Sequence, residues 1–167
     1  MIVDMKEIEA FFFEAMLQGW VNPNTQAQPV AGMPGYKGYE YKKNGLYLRD
    51  IFIANPGTRK SAGSTTILQD DIPVWMMAYG GVYPPEVIPF LKRVLTHAYQ
   101  SKTFKGGRGL DTSEPIETGE YWFYQNTLTP AERLNSFTRF KGFETISRNP
   151  IVLEDNAYHY YFGLSLV

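Results

Sequence analysis

Residues Gly63 to Gly81 read as two strands folded back on each other at Asp70-Asp71, and an altered form of the same pattern returns near the end of the chain. The first copy opens as Gly63-Ser64-Thr65-Thr66-Ile67 and closes as Pro73-Val74-Trp75-Met76-Met77-Ala78-Tyr79-Gly80-Gly81. The second opens as Gly142-Phe143-Glu144-Thr145-Ile146, turns at Arg148-Asn149-Pro150, and ends on an aromatic strand at Phe162-Gly163. Both copies start with G-x-x-T-I and finish on an aromatic residue followed by glycine. Such an echo predicts antiparallel strands in two weakly repeated halves, about 1–83 and 84–167. Asp70 and Asp71 form an acidic pair, but at a hairpin turn aspartate is favoured by local hydrogen bonding, so they are read as turn residues and not as a metal site.

The remaining segments fit that frame. Asp4 and Glu7 have capping-box spacing, Ile8, Phe11, Phe12, Ala15 and Met16 follow at helical period, and Gly19 supplies a stop. Residues 19–38 hold three prolines and four glycines and are read as a loop. Asn44-Gly45 between two aromatic-rich runs predicts a hairpin over 38–53. Pro84 and Pro85 end the strand region and start a second helix, with Val87, Leu91, Val94 and Ala98 on one face. Residues 101–119 read as another loop, and 121–166 as β structure. The expectation is an α+β fold, single domain over 1–167, each half a helix followed by antiparallel strands, with both helices packed on one face of one curved sheet or two fused ones.

Composition narrows the chemistry. Sixteen basic and seventeen acidic residues leave a net charge of −1, too balanced to recruit nucleic acid or an anionic membrane. There are no cysteines and only two histidines, without H-x-x-x-H spacing, so no metal site and no cofactor is expected. The first residues lack a basic n-region, and no apolar run approaches the roughly 18–20 residues that span a bilayer. A cytoplasmic protein, monomer or homodimer, is expected. Aromatic residues make up 16% of the chain, a content suited to strands and amphipathic surfaces.

The succession of Arg49-Asp50-Ile51-Phe52, the G-x-x-T-I strand and Pro73 to Gly81 resembles an uncharacterised bacterial domain that often follows an XRE-type helix-turn-helix. Phe104-Lys105-Gly106-Gly107-Arg108 and Phe140-Lys141-Gly142-Phe143-Glu144-Thr145-Ile146 are similar to the same pattern. The resemblance implies an accessory or sensing module without an assigned activity. The helix-turn-helix itself is absent from these 167 residues.

Candidate site residues follow from strand alternation. In Ala157 to Phe162, residues Tyr158, Tyr160, Phe162 and Leu164 share one face, expected in the core. His159, Tyr161 and Ser165 share the other, which could line a cleft of aromatic walls with polar tips, or simply pack beneath a helix. Trp75, Met77 and Tyr79 share a face, as do Trp122 and Tyr124; these are core residues unless the halves bring them into one groove. Arg49 and Asp50 point to opposite faces, so either one charge is buried with a partner or the strand lies at an edge. Phe104 to Gly109 could cradle a phosphate with Arg108, or be a flexible turn. His97 sits near the end of the second helix, where its protonated form suits the dipole.

The expected function is a non-catalytic module holding a small molecule or protein partner in an aromatic groove walled by Tyr47, Arg49, Trp75, Tyr79, Trp122, Tyr124, His159 and Tyr161. The alternatives are an enzyme with His159 or Asp50 as general base near Tyr161, and an antidote or inhibitor acting by surface complementarity.

Overall fold

The computed structural model describes residues 4–129, 136–148 and 157–167. Helix α1 (Met5–Gln18) begins at the expected cap: Asp4 is extended, and its carboxylate accepts a hydrogen bond from the Lys6 amide at 2.9 Å. It ends where the Gly19 amide donates back to the Met16 carbonyl. One side, with Ile8, Phe11, Phe12, Ala15 and Met16, is buried.

Five strands follow. β1 (Gln28–Pro29) is a short edge piece within the segment expected to be loop, paired to β2 (Lys37–Lys43). β2 turns into β3 (Leu46–Ala54) through Asn44-Gly45, whose φ values are 52° and 80°. β4 (Lys60–Gln69) turns into β5 (Ile72–Val82) through Asp70-Asp71, at 49° and 65°. Paired positive φ values match the right-handed twist of a hairpin, and Asn, Asp and Gly tolerate them best. The turn reading of both dipeptides therefore holds.

A single 3₁₀ turn (Pro85–Val87) leads into helix α2 (Ile88–Gln100), with Pro89 in its first turn where its missing N–H costs nothing. β6 (Thr112–Pro115) comes from the second expected loop and pairs with β7 (Tyr121–Leu128). β8 (Arg139–Ser147) and β9 (Tyr158–Ser165) complete the chain of strands. The expected turn at Arg148-Asn149-Pro150 lies largely outside the described residues.

All strands among the described residues join one nine-stranded antiparallel sheet in the order β1-β2-β3-β4-β5-β9-β8-β7-β6. This settles the choice between one sheet and two. Each helix precedes an antiparallel meander, and the meanders meet through their last strands, with Tyr79 of β5 directly opposite Tyr161 of β9. Both helices cover one face. Phe12 of α1 packs on Trp75 of β5 at 5.2 Å between ring centres and on Tyr99 of α2 at 6.0 Å, and Trp75 stacks on Phe137 at 4.8 Å. The inward residues of the strands, among them Leu48, Ile67, Met77 and Ile146, close this core. Asp50 faces it as well, and β3 runs between β2 and β4, so the edge-strand reading of Arg49-Asp50 does not hold.

Two expectations about β9 are reversed. Tyr160, Phe162 and Leu164 were expected inside, yet they are 63%, 51% and 37% exposed, while His159 and Tyr161 are buried. Alternation sorts the strand into two faces but does not say which is inward when both are aromatic. The helices settle it: the His159 side meets the polar groups described below, and the Tyr160 side lies on the face without helices.

One local arrangement occurs twice. Tyr79 of β5 crosses Gly63 of β4 and donates its hydroxyl hydrogen to Asp50 of β3 at 2.8 Å. Tyr161 of β9 crosses Gly142 of β8 and donates to Asn126 of β7. A Cβ at Gly63 would lie 2.5 Å from the Ile51 carbonyl oxygen and 2.6 Å from the Tyr79 hydroxyl; at Gly142 it would lie 2.5 Å from both the Thr127 carbonyl oxygen and the Tyr161 hydroxyl. Backbone cannot yield as a flexible side chain does. Gly63→Ala and Gly142→Ala are each expected to cost about 1–3 kcal/mol in urea denaturation. Gly57→Ala, whose Cβ would meet only Asn55 Oδ1 at 3.3 Å, should be close to neutral. Equal midpoints for all three would show that the tyrosines do not rest on the glycines.

Candidate functional site

A cavity of about 370 Å³ opens between the helical layer and the first half of the sheet, extending to β9. Its apolar walls come from the end of α1 and the turn after it (Met16, Trp20, Val21), from α2 (Ile88, Leu95), and from Phe52 of β3. The exposed lining residues mark its mouth: Ala54 at the end of β3, Asn55, Pro56 and Arg59 in the β3–β4 turn, and Pro85 of the 3₁₀ turn. The buried residues with polar tips, Tyr99, Arg108 and His159, mark its deep end. Ser61, Tyr79 and Tyr83 also line it. The volume falls in the range of about 300–1,000 Å³ typical of small-molecule sites.

The deep end is organised by Glu144, which is fully buried on β8. Its carboxylate accepts from Arg108 Nε at 2.9 Å and from Arg108 Nη2, Tyr83 and Tyr124 through short contacts. Burial alone would push its pKa up, but the Arg108 guanidinium and these hydrogen bonds outweigh burial and hold it below the usual carboxylate value. Arg108 is buried too, and stays charged because burial is outweighed by Glu144.

Arg108 reaches this position because its loop is fastened. Asn126 Nδ2 donates to the carbonyls of Lys105 and Gly109, both at 2.9 Å, and the Gly109 amide donates to Tyr124 Oη at 2.9 Å. Gly106 and Gly107 take left-handed φ values of 64° and 68°, and a Cβ on Gly106 would run into the Tyr161 ring. Glycine is therefore required there for both conformation and space. Phe104 to Gly109 is thus a turn, closed by the Arg108 amide donating to the Lys105 carbonyl at 3.2 Å, and it is fastened by the hydrogen bonds above. The phosphate reading does not hold, because Arg108 is already paired to a carboxylate.

Asp50 forms a second polar group. It accepts from Thr65 Oγ1 at 2.9 Å and from Tyr79 at 2.8 Å. Burial raises its pKa, against the pull of those two donors and of Arg108. Tyr79 is pushed well up in turn by burial and by the Asp50 charge.

His159 lies between these groups. Its ring stacks on Tyr83 at 4.1 Å between centres and more loosely on Tyr79 at 6.0 Å. Nε2 is 3.4 Å from Ser61 Oγ, whereas Nδ1 is buried with no hydrogen-bond partner. Burial, helped by the Arg108 charge, pushes its pKa from 6.5 down to about 3, so the ring is neutral at physiological pH. Such an imidazole is a weak base near neutrality, which argues against the general-base alternative, since an efficient base has a pKa close to the working pH.

The sequence-predicted residues are thus divided. Tyr79 and His159 line the cavity. Tyr124 and Tyr161 lie behind it, in the hydrogen-bond network. Trp75 is fully buried under Phe12 and Phe137, so it is a core residue and no groove wall. Trp122 is half-buried on β7 beneath the Arg148 guanidinium at 5.0 Å, away from the cavity. Tyr47 and Arg49 point to the face without helices, where Tyr47 carries Lys42 at 4.4 Å and Arg49 is 3.9 Å from Glu40. A groove made of all eight is therefore not formed.

Glu144, Tyr83, Asn126, Trp20 and Arg59 were not among the predicted site residues, and Arg108 was weighed only as a phosphate ligand. One signal was present: Glu144 stands where the first G-x-x-T-I copy has Thr65, on the inward side of a strand whose other inward residues are Phe140, Gly142 and Ile146. An acid in that register needs a cation. Among the described residues, no group of three or more metal-ligating side chains forms, and no helix is long and apolar enough to cross a membrane. Compared with family models, with curated proteins and with solved structures, the chain matches none.

Proposed function

We propose that this protein is a non-catalytic binding or sensing module that holds a small molecule in the cavity between α1, α2 and the sheet. The observation that carries the reading is a ligand-sized, mainly apolar cavity whose lining includes His159, a residue only 4% exposed with its Nδ1 left without a hydrogen-bond partner. Buried polar atoms are nearly always hydrogen-bonded, and a convergent polar group in an apolar pocket is the usual make-up of a binding site. An accessory or sensing role agrees with the bacterial domain that the sequence resembles. We further propose that the two halves descend from one helix-plus-meander unit, with the site built between them.

The test uses the neutral fluorophore N-phenyl-1-naphthylamine, followed by its own emission and by quenching of Trp20 in the cavity wall. Saturable binding is expected, weakened by at least about tenfold in Ser61→Phe, which fills the cavity. Phe162→Ser, on the face without helices, should leave it unchanged. Absence of saturable binding, or loss through Phe162→Ser in place of Ser61→Phe, would refute the cavity reading.

A further inference from the structure

We infer that the ligand of this cavity is a monoanionic amphiphile, with an aromatic body along Trp20 and Phe52 and its single negative group at Arg59 in the mouth. The inference rests on the binding reading above and adds the ligand's chemistry to it.

Charge sets the argument. Among the described residues, the lining contains two arginines and no carboxylate, in a chain whose net charge is −1. The arginines are not equivalent. Arg108, at the deep end, already gives Nε and Nη2 to Glu144, so its charge is matched. Arg59 is exposed at the mouth and forms no ion pair among the described residues. The lining tyrosines cannot substitute as donors to an anion, because Tyr79 and Tyr83 already donate to Asp50 and Glu144, and Tyr99 to the Gly107 carbonyl at 3.3 Å. The unmatched positive charge of the lining therefore sits at its outer end.

The turn presents Arg59 from a fixed backbone. The Asn55 amide donates to the Lys60 carbonyl at 2.9 Å and the Arg59 amide to the Asn55 carbonyl at 2.8 Å. Asn55 Oδ1 accepts from the Gly57 and Thr58 amides at 2.9 and 3.1 Å. Lys92 of α2, outside the lining, rests its ammonium 4.9 Å over the ring of the lining residue Trp20. A carboxylate at the mouth would meet a guanidinium suited to two parallel hydrogen bonds, while apolar walls lower the local dielectric and strengthen the attraction. The aromatic body would leave water for surfaces that already hold aromatic rings.

The test compares two probes that differ in charge alone, 1-naphthaleneacetate and 1-naphthaleneacetamide, by titration calorimetry on the full chain. The acetate is expected to bind about tenfold more tightly than the amide at low salt, with the advantage shrinking as salt rises. In Arg59→Gln, a change at an exposed side chain, the advantage should vanish, the acetate then binding no more tightly than the amide. Equal affinities in the wild type, or a preference that survives Arg59→Gln, would overturn the anionic assignment and leave the cavity reading standing. If neither naphthalene probe binds but N-phenyl-1-naphthylamine does, the ligand class is wrong and the cavity reading stands. If none of the three binds, both fall.

Discussion

Glu144→Ala is expected to destabilise the protein by about 3–5 kcal/mol, because it strands the buried Arg108 guanidinium without its partner. That is a large part of the roughly 5–15 kcal/mol that keeps a domain folded. The loss spreads beyond the ion pair. Tyr83 and Tyr124 donate to the same carboxylate, and Tyr83 also lines the cavity, so ligand binding should weaken together with stability. The pair Arg108→Met with Glu144→Leu removes both charges and should be more stable than Glu144→Ala alone, since exchanging a whole buried ion pair for apolar groups is often near neutral. Urea midpoints at neutral pH decide it. A loss below about 1 kcal/mol for Glu144→Ala would mean that water reaches the guanidinium and that the deep end is not closed.

Acid should unfold the protein mainly through His159. In the unfolded chain this ring takes a proton near 6.5; in the folded protein, burial and Arg108 hold it neutral down to about 3. Between those values the unfolded state binds more protons, so stability falls as pH falls. The contribution reaches up to about 4 kcal/mol by the lower limit. Glu144 acts in the same direction at lower pH: its carboxyl is held below 4.5, so its stabilisation is present above that value and is lost as pH drops through the folded one. Asp50 works the opposite way. Its raised pKa lets the folded state take a proton first, which offsets part of the loss as pH falls toward 3.8. Urea midpoints measured from about pH 7.5 to pH 4 should fall steeply for the wild type and less steeply for His159→Gln, which has no ring to protonate. Parallel curves would show that His159 ionises freely inside the fold.

What the sequence revealed divides along the range of the interactions. Features set by neighbours along the chain were legible: the Asp4 cap, the Asn44-Gly45 and Asp70-Asp71 turns, the strand alternation and the amphipathic face of α2. Their causes lie within a few residues, where turn chemistry and periodicity act. Features set by distant partners were not. The orientation of β9 depends on Glu144 and Tyr79 on the two strands beside it. Arg108 is held by a carboxylate 36 positions away, reached through a loop that Asn126 fastens from β7. The cavity is assembled from α1, the β3–β4 turn, α2 and β9, so no single segment carries its signature. His159 was identified because strand parity put it on the polar-tipped side, and Tyr79 because parity grouped it with Trp75 and Met77 on a face that the two halves could bring into one groove. Trp75 has that same parity and still proved to be core, since parity does not report how deeply a helix covers each position.

The place of β9 also bears on how the fold is made. It is the last strand in chain order, yet it occupies the middle of the sheet and joins one meander to the other. During synthesis, β1 to β5 and β6 to β8 can form only as two separate sheets. Until residues 158–165 leave the ribosome, each has an open inner edge, at β5 and at β8. Unpaired edges invite pairing with each other or with other chains. The nascent protein is thus most vulnerable to misassembly just before residues 158–165 emerge, and removing residues 157–167 would expose two edges at once.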